Sequence, residues 1–444
     1  MKTIQDWFKE HRIDEVEAIV PDMSGVARGK IVPAEKYSQE RSMRLPEGIF
    51  LQTIAGDFPD EYYDETLKTD GDVLLRPDMD TLCLVPWAQE PTAQVIHDAF
   101  HYDGRPVDIA PRYVLKRVLE LYEAKGWTPV VAPELEFFLV KPNTDADYPL
   151  EAPVGRSGRP ESGRQSYSID AVNEFEPLFE DVYAFCEKQG LEIDTLIHES
   201  GMAQLEINLL HGNPLWLADQ AFRFKRTMRE AALRHHMYAT FMAKPMQGQP
   251  GSAMHIHQSV VDAKGHNLFS DANGQETPLF RHYLGGLQAY VPAVMAMLAP
   301  NVNSYRRLSR NSGAPVNIGW GYDNRTAALR VPISDPEARR IENRLPGADA
   351  NPYLAMAATL ACGYLGMVKG LEPSAPNDGN IQYVPGDLPQ TLVEALRLFS
   401  ECDELKEVFG ERFVAAFTAV KQAEFDTFTH VISSWEREYL LLNV

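Results

Sequence analysis

The sequence predicts a chain of mixed helices and strands in two unequal parts, and three observations carry that expectation. At 444 residues the chain is too long for one small core, because long chains divide into domains. Its first part alternates short helical and extended segments. Its second part sets longer helices between strands that carry polar residues on one face. The boundary is placed near Val107, giving parts 1–107 and 108–444.

Taken in order, a helix around residues 3–11 leads to a strand over 15–20, a turn at Pro21–Gly25 and a second strand starting near Gly29. Segment 46–80 is rich in Pro, Gly and Asp and reads as irregular. Asp108–Pro111 opens a helix with Val114, Leu115, Val118, Leu119 and Tyr122 on one face, closed by Gly126. A strand over 130–140 precedes a long polar loop, 141–165, whose Pro, Gly and Ser content suggests mobility. A helix over 174–188 ends at Gly190. Strands 191–198 and 203–210, a long helix near 215–236, and strands 238–243 and 253–261 follow. The most apolar stretch, 353–368, is shorter than the ~20 residues of a membrane span. With Asn351 as cap and Pro352 in the first turn, it reads as a buried helix.

Composition narrows the function. With 44% apolar and 24% charged residues, the chain is an ordinary globular protein. A net charge of -21 argues against nucleic acid, which needs a basic footprint, but not against ATP, which local charges and metal can hold. Cys83, Cys186, Cys362 and Cys402 are scattered without metal-ligand spacing, so a reducing, cytoplasmic location is the default. The N-terminal residues mix apolar and charged types and show no signal-peptide core, and no membrane partner is implied.

The strands carry the chemistry. Glu134 and Glu136 share one strand face, since side chains two apart point the same way. A solvent-facing edge strand would look the same. Strand 203–210 repeats the pattern with Gln204, Glu206 and Asn208, and Glu199 lies just upstream. Strand 253–261 places His255, His257 and Ser259 on one face. A lone His-x-His pair is as readily structural as ligating. Carboxylates on two strands with imidazoles on a third suit Mg²⁺ or Mn²⁺, and the lack of thiols speaks against structural zinc. Segment 305–344 then reverses the charge of an acidic chain. Arg306, Arg307, Arg310, Arg325, Arg330, Arg339, Arg340 and Arg344 face only Asp323, Asp335, Glu337 and Glu342, without a lysine. Arginine favours bidentate recognition of carboxylate or phosphate, although an ion-pair network at a subunit contact would use the same residues. Metal-gathering carboxylates beside anion-gathering arginines describe a phosphoryl-transfer site.

These segments, in this order, resemble the glutamine synthetase family. The likeness runs from DMSGVARGK at 22–30 through PELEFFLV, HESGMAQLE, KPMQGQPGSAMHIHQS, NSYRRL and NRTAALR to ARRIENRLPGADANPYL. It implies an α+β fold: a small β-grasp-like N-terminal domain and a large catalytic domain with a curved, mainly antiparallel sheet and surrounding helices. It implies one Mg²⁺ or Mn²⁺ ion held by Glu136, Glu199 and Glu206, and a second by Glu134, His255 and Glu342. Glu136, Gly251, Arg307 and Arg344 match the glutamate site. Asp194, His257, Ser259, Arg325, Arg330 and Arg340 match the ATP side, with Asp194 where a glutamate is usual. Arg307 and Arg325 match arginines acting on the reacting groups. The implied reaction is two-step: ATP phosphorylates the glutamate γ-carboxylate, and an amine displaces the phosphate. The implied assembly is a homo-oligomer, a dodecamer of two stacked hexameric rings.

The departures gather at the ammonium pocket. Gly313 stands where the family carries a glutamate before Ala-Pro-Val, and Pro250 replaces an asparagine before Gly251. The family's Asp-Gly-Ser-Ser loop has no counterpart in residues 54–72. Asp72 matches a second aspartate of that region, and Asp57 or Asp64 stands in for the first. Tyr383 is the candidate for the tyrosine modified in some members. Losing a glutamate removes charge and opens volume, so the sequence resembles the γ-glutamylpolyamine (γ-glutamylputrescine) synthetase branch. The rival readings are a glutamine synthetase using ammonia, a ligase for another amine such as ethanolamine or an aromatic amine, and a catalytically silent glutamate-binding or structural homologue.

Overall fold

The computed structural model describes residues 4–39, 43–59, 62–63, 67, 69–309, 313–382 and 384–444. Expectations resting on Asp64, Arg310 and Tyr383 lie outside the described residues. Among these residues the strands form two sheets.

The first sheet comprises β1 (Glu15–Pro21), β2 (Ala27–Pro33), β3 (Met43–Pro46), β4 (Asp72–Pro77), β5 (Cys83–Leu84) and β6 (Thr92–Phe100). Their order is β2-β1-β6-β4-β3, with β5 also on β6. Val16, Ala18 and Val20 alternate inward from β1 and are buried. The Asp22 side chain closes the β1–β2 turn by accepting the Ser24 and Val26 N–H groups at 2.9 and 2.8 Å. The irregular segment expected over 46–80 is more ordered than its composition suggests. It holds short 3₁₀ turns at Glu47–Leu51 and Met79–Thr81 and the β4 strand, which pairs with both β3 and β6. Sheet pairing outweighs local propensity there.

The expected amphipathic helix runs over Pro111–Glu123, with Val114, Leu115, Val118 and Tyr122 buried. Its cap is Ala110 rather than Asp108, and Pro111 fills the first turn. Arg112 ties this helix to its surroundings. Buried itself, it reaches Asp219 at 2.9 Å on the helix Pro214–Arg234, Asp98 at 2.8 Å on β6 and Asp78 at 2.6 Å. Three carboxylates around one guanidinium keep the buried charge paired.

The second sheet comprises β7 (Trp127–Val140), β8 (Ile193–His198), β9 (Gln204–Leu209), β10 (Tyr238–Thr240), β11 (Met254–Asp262), β12 (Trp320–Tyr322), β13 (Leu329–Val331) and β14 (Ile341–Asn343). Its order is β12-β13-β14-β11-β7-β9-β8, with β10 on β7, and every pairing except β12–β13 is antiparallel. β7 begins earlier than expected because β11 runs alongside it from Met254 to Asp262, pairing Asp262 with Trp127. Behind the sheet, the helix Pro352–Lys369 packs against the helix Pro278–Leu298. The Asn351 cap accepts the Tyr353 N–H at 2.9 Å, as expected. No helix among the described residues is long and apolar enough to cross a membrane.

Candidate active site

Register assembles the site. His255 on β11 lies opposite Glu134 on β7, and Glu136 lies opposite Glu206 on β9. On the other side of β11, His257 faces Glu342 on β14, which faces Arg330 on β13. Directly paired residues in antiparallel strands share a face. Seven charged or imidazole side chains from five strands therefore converge on one side of the sheet.

The distances fall into two groups. His255 Nδ1 lies 3.2 Å from Glu134 Oε2 and 3.8 Å from Glu342 Oε1, while His255 Nε2 lies 3.9 Å from Glu136 Oε1. His257 Nε2 lies 2.9 Å from Glu134 Oε1. Glu134, His255 and Glu342 form one set whose ligand atoms lie within 4.8 Å of one another, and Glu136, Glu206 and His255 form another. The first set has the membership expected from the sequence. The second draws in His255 in place of Glu199, which stands near enough for its charge to act on Glu136 and Glu206.

Crowding of like charge marks the site. Burial pushes the Glu206 carboxyl up to about 10, with Glu134, Glu136, Glu199 and Glu342 adding to the rise. Burial and then the Glu199 charge lift Glu136 to about 8. Burial would raise Glu342 too, but Arg344, His255 and His257 hold it down at about 2. Glu134 is likewise buried, yet hydrogen bonds from both histidines keep it well below the usual carboxylate range. Buried carboxylates that cannot all stay charged together require neutralisation. Hard oxygen donors plus one imidazole fit Mg²⁺ or Mn²⁺, so the residues present suit the divalent ions the sequence implies.

Beside this cluster opens a cavity of about 700 Å³ whose lining includes Asp194, His257, Ser259, Arg325, Arg330 and Arg340, together with Glu134. All six residues matched to the ATP side by sequence thus border one space. Arg340 Nε donates to His257 Nδ1 at 3.1 Å. Arg330 reaches Glu342 at 2.8 Å and Asp323 at 2.6 Å, so Asp323 fixes a cavity arginine, a role its spacing in the sequence gave no sign of. Arg325 is exposed at the cavity. Arg339 serves elsewhere, donating to Ser270 Oγ at 2.6 Å and stapling a loop.

On the other flank, Arg344 pairs with Glu342, and its buried Nε has no hydrogen-bond partner among the described residues. Arg307 is buried, and it donates to the Leu345 and Arg344 carbonyls at 2.8 and 2.9 Å. Burial lowers its pKa to about 10. Gly251 is required by this packing, because a Cβ there would sit 2.6 Å from Arg307 Cγ and 2.7 Å from the Ala243 carbonyl oxygen. The Gln204 amide bridges Glu136 at 3.4 Å and the Gly251 carbonyl at 3.0 Å. Gly313 lies exposed at φ +88, with nothing among the described residues within 4 Å of an added Cβ. Asp57 sits exposed in a turn closed by Thr53, and Asp72 is exposed at the start of β4.

One contributor escaped the sequence reading. Glu161, inside the polar loop after β7, accepts the Ala203 N–H, and its carboxylate lies 3.0 Å from His198 Nε2. His198 Nδ1 in turn sits 2.7 Å from the Glu199 carbonyl oxygen. The loop expected to be mobile is thus latched onto the turn that presents Glu199.

Comparison with known proteins agrees with this geometry. Residues 108–440 match the glutamine synthetase catalytic domain. The chain is 37% identical to γ-glutamylputrescine synthetase PuuA of Escherichia coli strain K12, covering 96% of this chain and 92% of that one. It is 33% identical to a glutamate–isopropylamine ligase from a Pseudomonas species, covering 98% and 96%. A solved structure of a GmaS/ADP complex superposes with a TM-score of 0.84 at 29% identity, covering 99% of this chain and all of that one.

Proposed function

The chain belongs to the glutamine synthetase family, and on that premise we propose that it joins the γ-carboxylate of L-glutamate to a di- or polyamine such as putrescine or spermidine. That it is an ATP-dependent carbon–nitrogen ligase follows from its relatives. The polyamine acceptor is the proposal. One observation supports it: the residues matched to metal, nucleotide and glutamate are kept, while Gly313 stands where the family carries a glutamate, and among the described residues nothing lies within 4 Å of a Cβ there. A small ammonium ion gains little from an uncharged opening, whereas a longer amine gains room.

The proposed site roles follow the placement of each side chain. Glu134, His255 and Glu342 would hold one divalent ion, and Glu136, Glu206 and Glu199 a second. The ions supply charge neutralisation for the transferring phosphoryl group. Arg325, Arg330 and Arg340 border the nucleotide cavity, where fixed guanidinium forks match phosphate oxygens. Glutamate would sit between Gly251 and Arg344, whose guanidinium also pairs with Glu342. Arg307 shapes that pocket from behind through the carbonyls of 344 and 345. The glutamate γ-carboxylate attacks the γ-phosphorus of ATP, giving γ-glutamyl phosphate and ADP. The free amine then attacks the acyl carbon, phosphate leaves and a γ-glutamyl amide forms. Holding both partners in one cleft supplies proximity.

The division into an N-terminal part, 1–107, and a catalytic part, 108–444, belongs to the same reading, as do a cytoplasmic location and a dodecamer of stacked hexamers. The assembly is supported by the apolar side chains exposed near the C-terminus. Val431, Ile432, Trp435, Tyr439, Leu441 and Leu442 are all open to solvent in the single chain, and such a patch marks an interaction surface. The test is ADP release with ATP, Mg²⁺ and glutamate across ammonium, putrescine, spermidine, ethanolamine and alkyl monoamines, with mass spectrometry of the product. A di- or polyamine rate far above ammonium is expected. Ammonium as the best acceptor would return the chain to the ammonia-using reading.

A further inference from the structure

A second cavity, about 270 Å³ in volume, lies apart from the catalytic one and has no place in the reaction above. Its walls come from the β1–β2 turn at 23–26, the helix Pro214–Arg234, the strip 239–242 and the segment 348–352. Three cations border it: Lys225, Arg229 and Lys421.

For two of the three, no ion pair among the described residues accounts for the charge. Lys225 is buried, and its Nζ donates to the Ala350 carbonyl at 2.7 Å, leaving two N–H groups. Arg229 is exposed and stands over the Phe241 ring, 5.3 Å from its centroid. Neither has an ion-pair partner among the described residues. Lys421, fully buried, is balanced by Glu424 at 2.8 Å. The one carboxylate among the described lining residues, Asp349, is only half engaged: its buried Oδ1 accepts no hydrogen bond among the described residues, and its charge acts on Lys225. Its Oδ2 accepts from Asn301 at 2.8 Å and Ser304 at 2.6 Å, and its Oδ1 lies against Gly347. Burial, and then the neighbouring Arg229 charge, bring the Lys225 pKa down to about 7. In a chain whose net charge is -21, a cavity bordered by Lys225 and Arg229, neither in an ion pair among the described residues, runs against the overall charge.

We propose that this cavity is a binding site for a small polyanion, a phosphate or a short dicarboxylate, clamped between Lys225 and Arg229. A point-charge ammonium and a planar guanidinium fork together match the oxygens of such a group. Its volume of about 270 Å³ lies at the lower edge of the ~300–1,000 Å³ of drug-sized ligand sites, which suits a small anion. The site is separate from the glutamate pocket. The strip in which the Ser252 N–H bonds the Ala243 carbonyl at 2.9 Å, and the Ala348 N–H bonds the Ser252 carbonyl at 3.0 Å, runs between the two. The inference holds whichever amine the enzyme uses.

The test is calorimetric titration of the full chain, saturated with ADP and Mg²⁺, with inorganic phosphate and separately with glutarate. Binding of either probe is expected, weakened at least tenfold in Arg229→Ala and retained in Arg344→Ala. The probe that binds more tightly identifies the anion class. Lys225→Met should abolish binding. Because Lys225 is buried and its loss can unfold the chain, Arg229→Ala, an exposed change, carries the decision. Binding that survives Arg229→Ala but is lost in Arg344→Ala would assign the anion to the catalytic cleft and overturn the proposal. So would the absence of binding by both probes.

Discussion

The metal-ready face of the sheet and the proposed acceptor side of this molecule are built from different materials. Glu134, Glu136, Glu206, His255, His257 and Glu342 stand on strands, and backbone pairing fixes which of them meet. Gly313 stands in a loop at φ +88, with nothing among the described residues within 4 Å of an added Cβ. On the proposed reading, the contrast separates where the chemistry resides from where the partner is chosen. Phosphoryl transfer needs charges held to fractions of an ångström, which a sheet provides. Acceptor choice needs a wall that can change without disturbing them, which a loop provides.

The strongest way to break the comparison is to damage the strand side. Glu136 is buried, accepts the Ala253 N–H at 2.8 Å and lies in one of the two metal-ready sets. Glu136→Ala should lower kcat/KM for ADP release on the order of 10²–10³-fold with every amine alike, by analogy with the loss of one preorganised charge-stabilising group. If the loss fell on one amine only, Glu136 would be an acceptor residue, and the proposed separation would fail.

Glu161 tests whether the loop after β7 belongs to the strand side. Its carboxylate holds His198 and the Ala203 N–H, and so the turn that carries Glu199. Groups that orient ligands typically change metal affinity about 10–100-fold when removed. Glu161→Ala should raise the Mg²⁺ concentration for half-maximal activity by that order and leave kcat at saturating Mg²⁺ largely intact, with partial rescue by Glu161→Gln. An unchanged Mg²⁺ dependence would reduce the latch to a packing contact.

How far the sequence exposed each side follows from the same distinction. Period-two alternation made the pairs Glu134/Glu136 and His255/His257 legible, because side-chain direction in a strand is local. Glu342 was not legible in this way. It sits on a three-residue strand, and its meeting with His257 depends on a register formed between segments far apart in the chain; the family likeness supplied it. β4 was hidden for a related reason, since its partners β3 and β6 lie outside the segment whose composition argued against it. The capped helix from Pro352 was readable because its signals, Asn351 and Pro352, lie next to it. Glu161 left no local signal at all: an acid in a polar loop gives no hint of the backbone N–H it will meet.

On the proposed acceptor side, Gly313→Glu supplies the charge that the family carries at that position. It should shift selectivity from polyamine toward ammonium by about tenfold, the scale of one added contact in a specificity pocket. Positive φ costs a non-glycine residue about 1–2 kcal/mol, so Gly313→Ala separates backbone strain from charge. The alanine variant should keep the polyamine preference. Equal losses in both variants would make Gly313 a conformational requirement and leave acceptor choice to another wall.

The smallest expected effect concerns stability, and it isolates what the crowded carboxylates do. A ligand present at about 100 times its Kd stabilises a fold by about 2.7 kcal/mol, so saturating Mg²⁺ should raise the melting midpoint by several degrees and a chelator should reverse the rise. Glu206 is the sharpest probe, because burial and the charges of Glu134, Glu136, Glu199 and Glu342 push its carboxyl up to about 10. Without metal it is neutral at pH 7, so Glu206→Gln exchanges one uncharged group for another of similar size and should leave the metal-free midpoint close to that of the parent. With metal the two must diverge, since an amide cannot supply the anionic oxygen that the ion selects, and the variant should lose much of the Mg²⁺ increment. A variant that kept the whole increment would show that the ion settles on the Glu134–His255–Glu342 side alone, and would reduce the second set to a cluster of buried acids sharing protons.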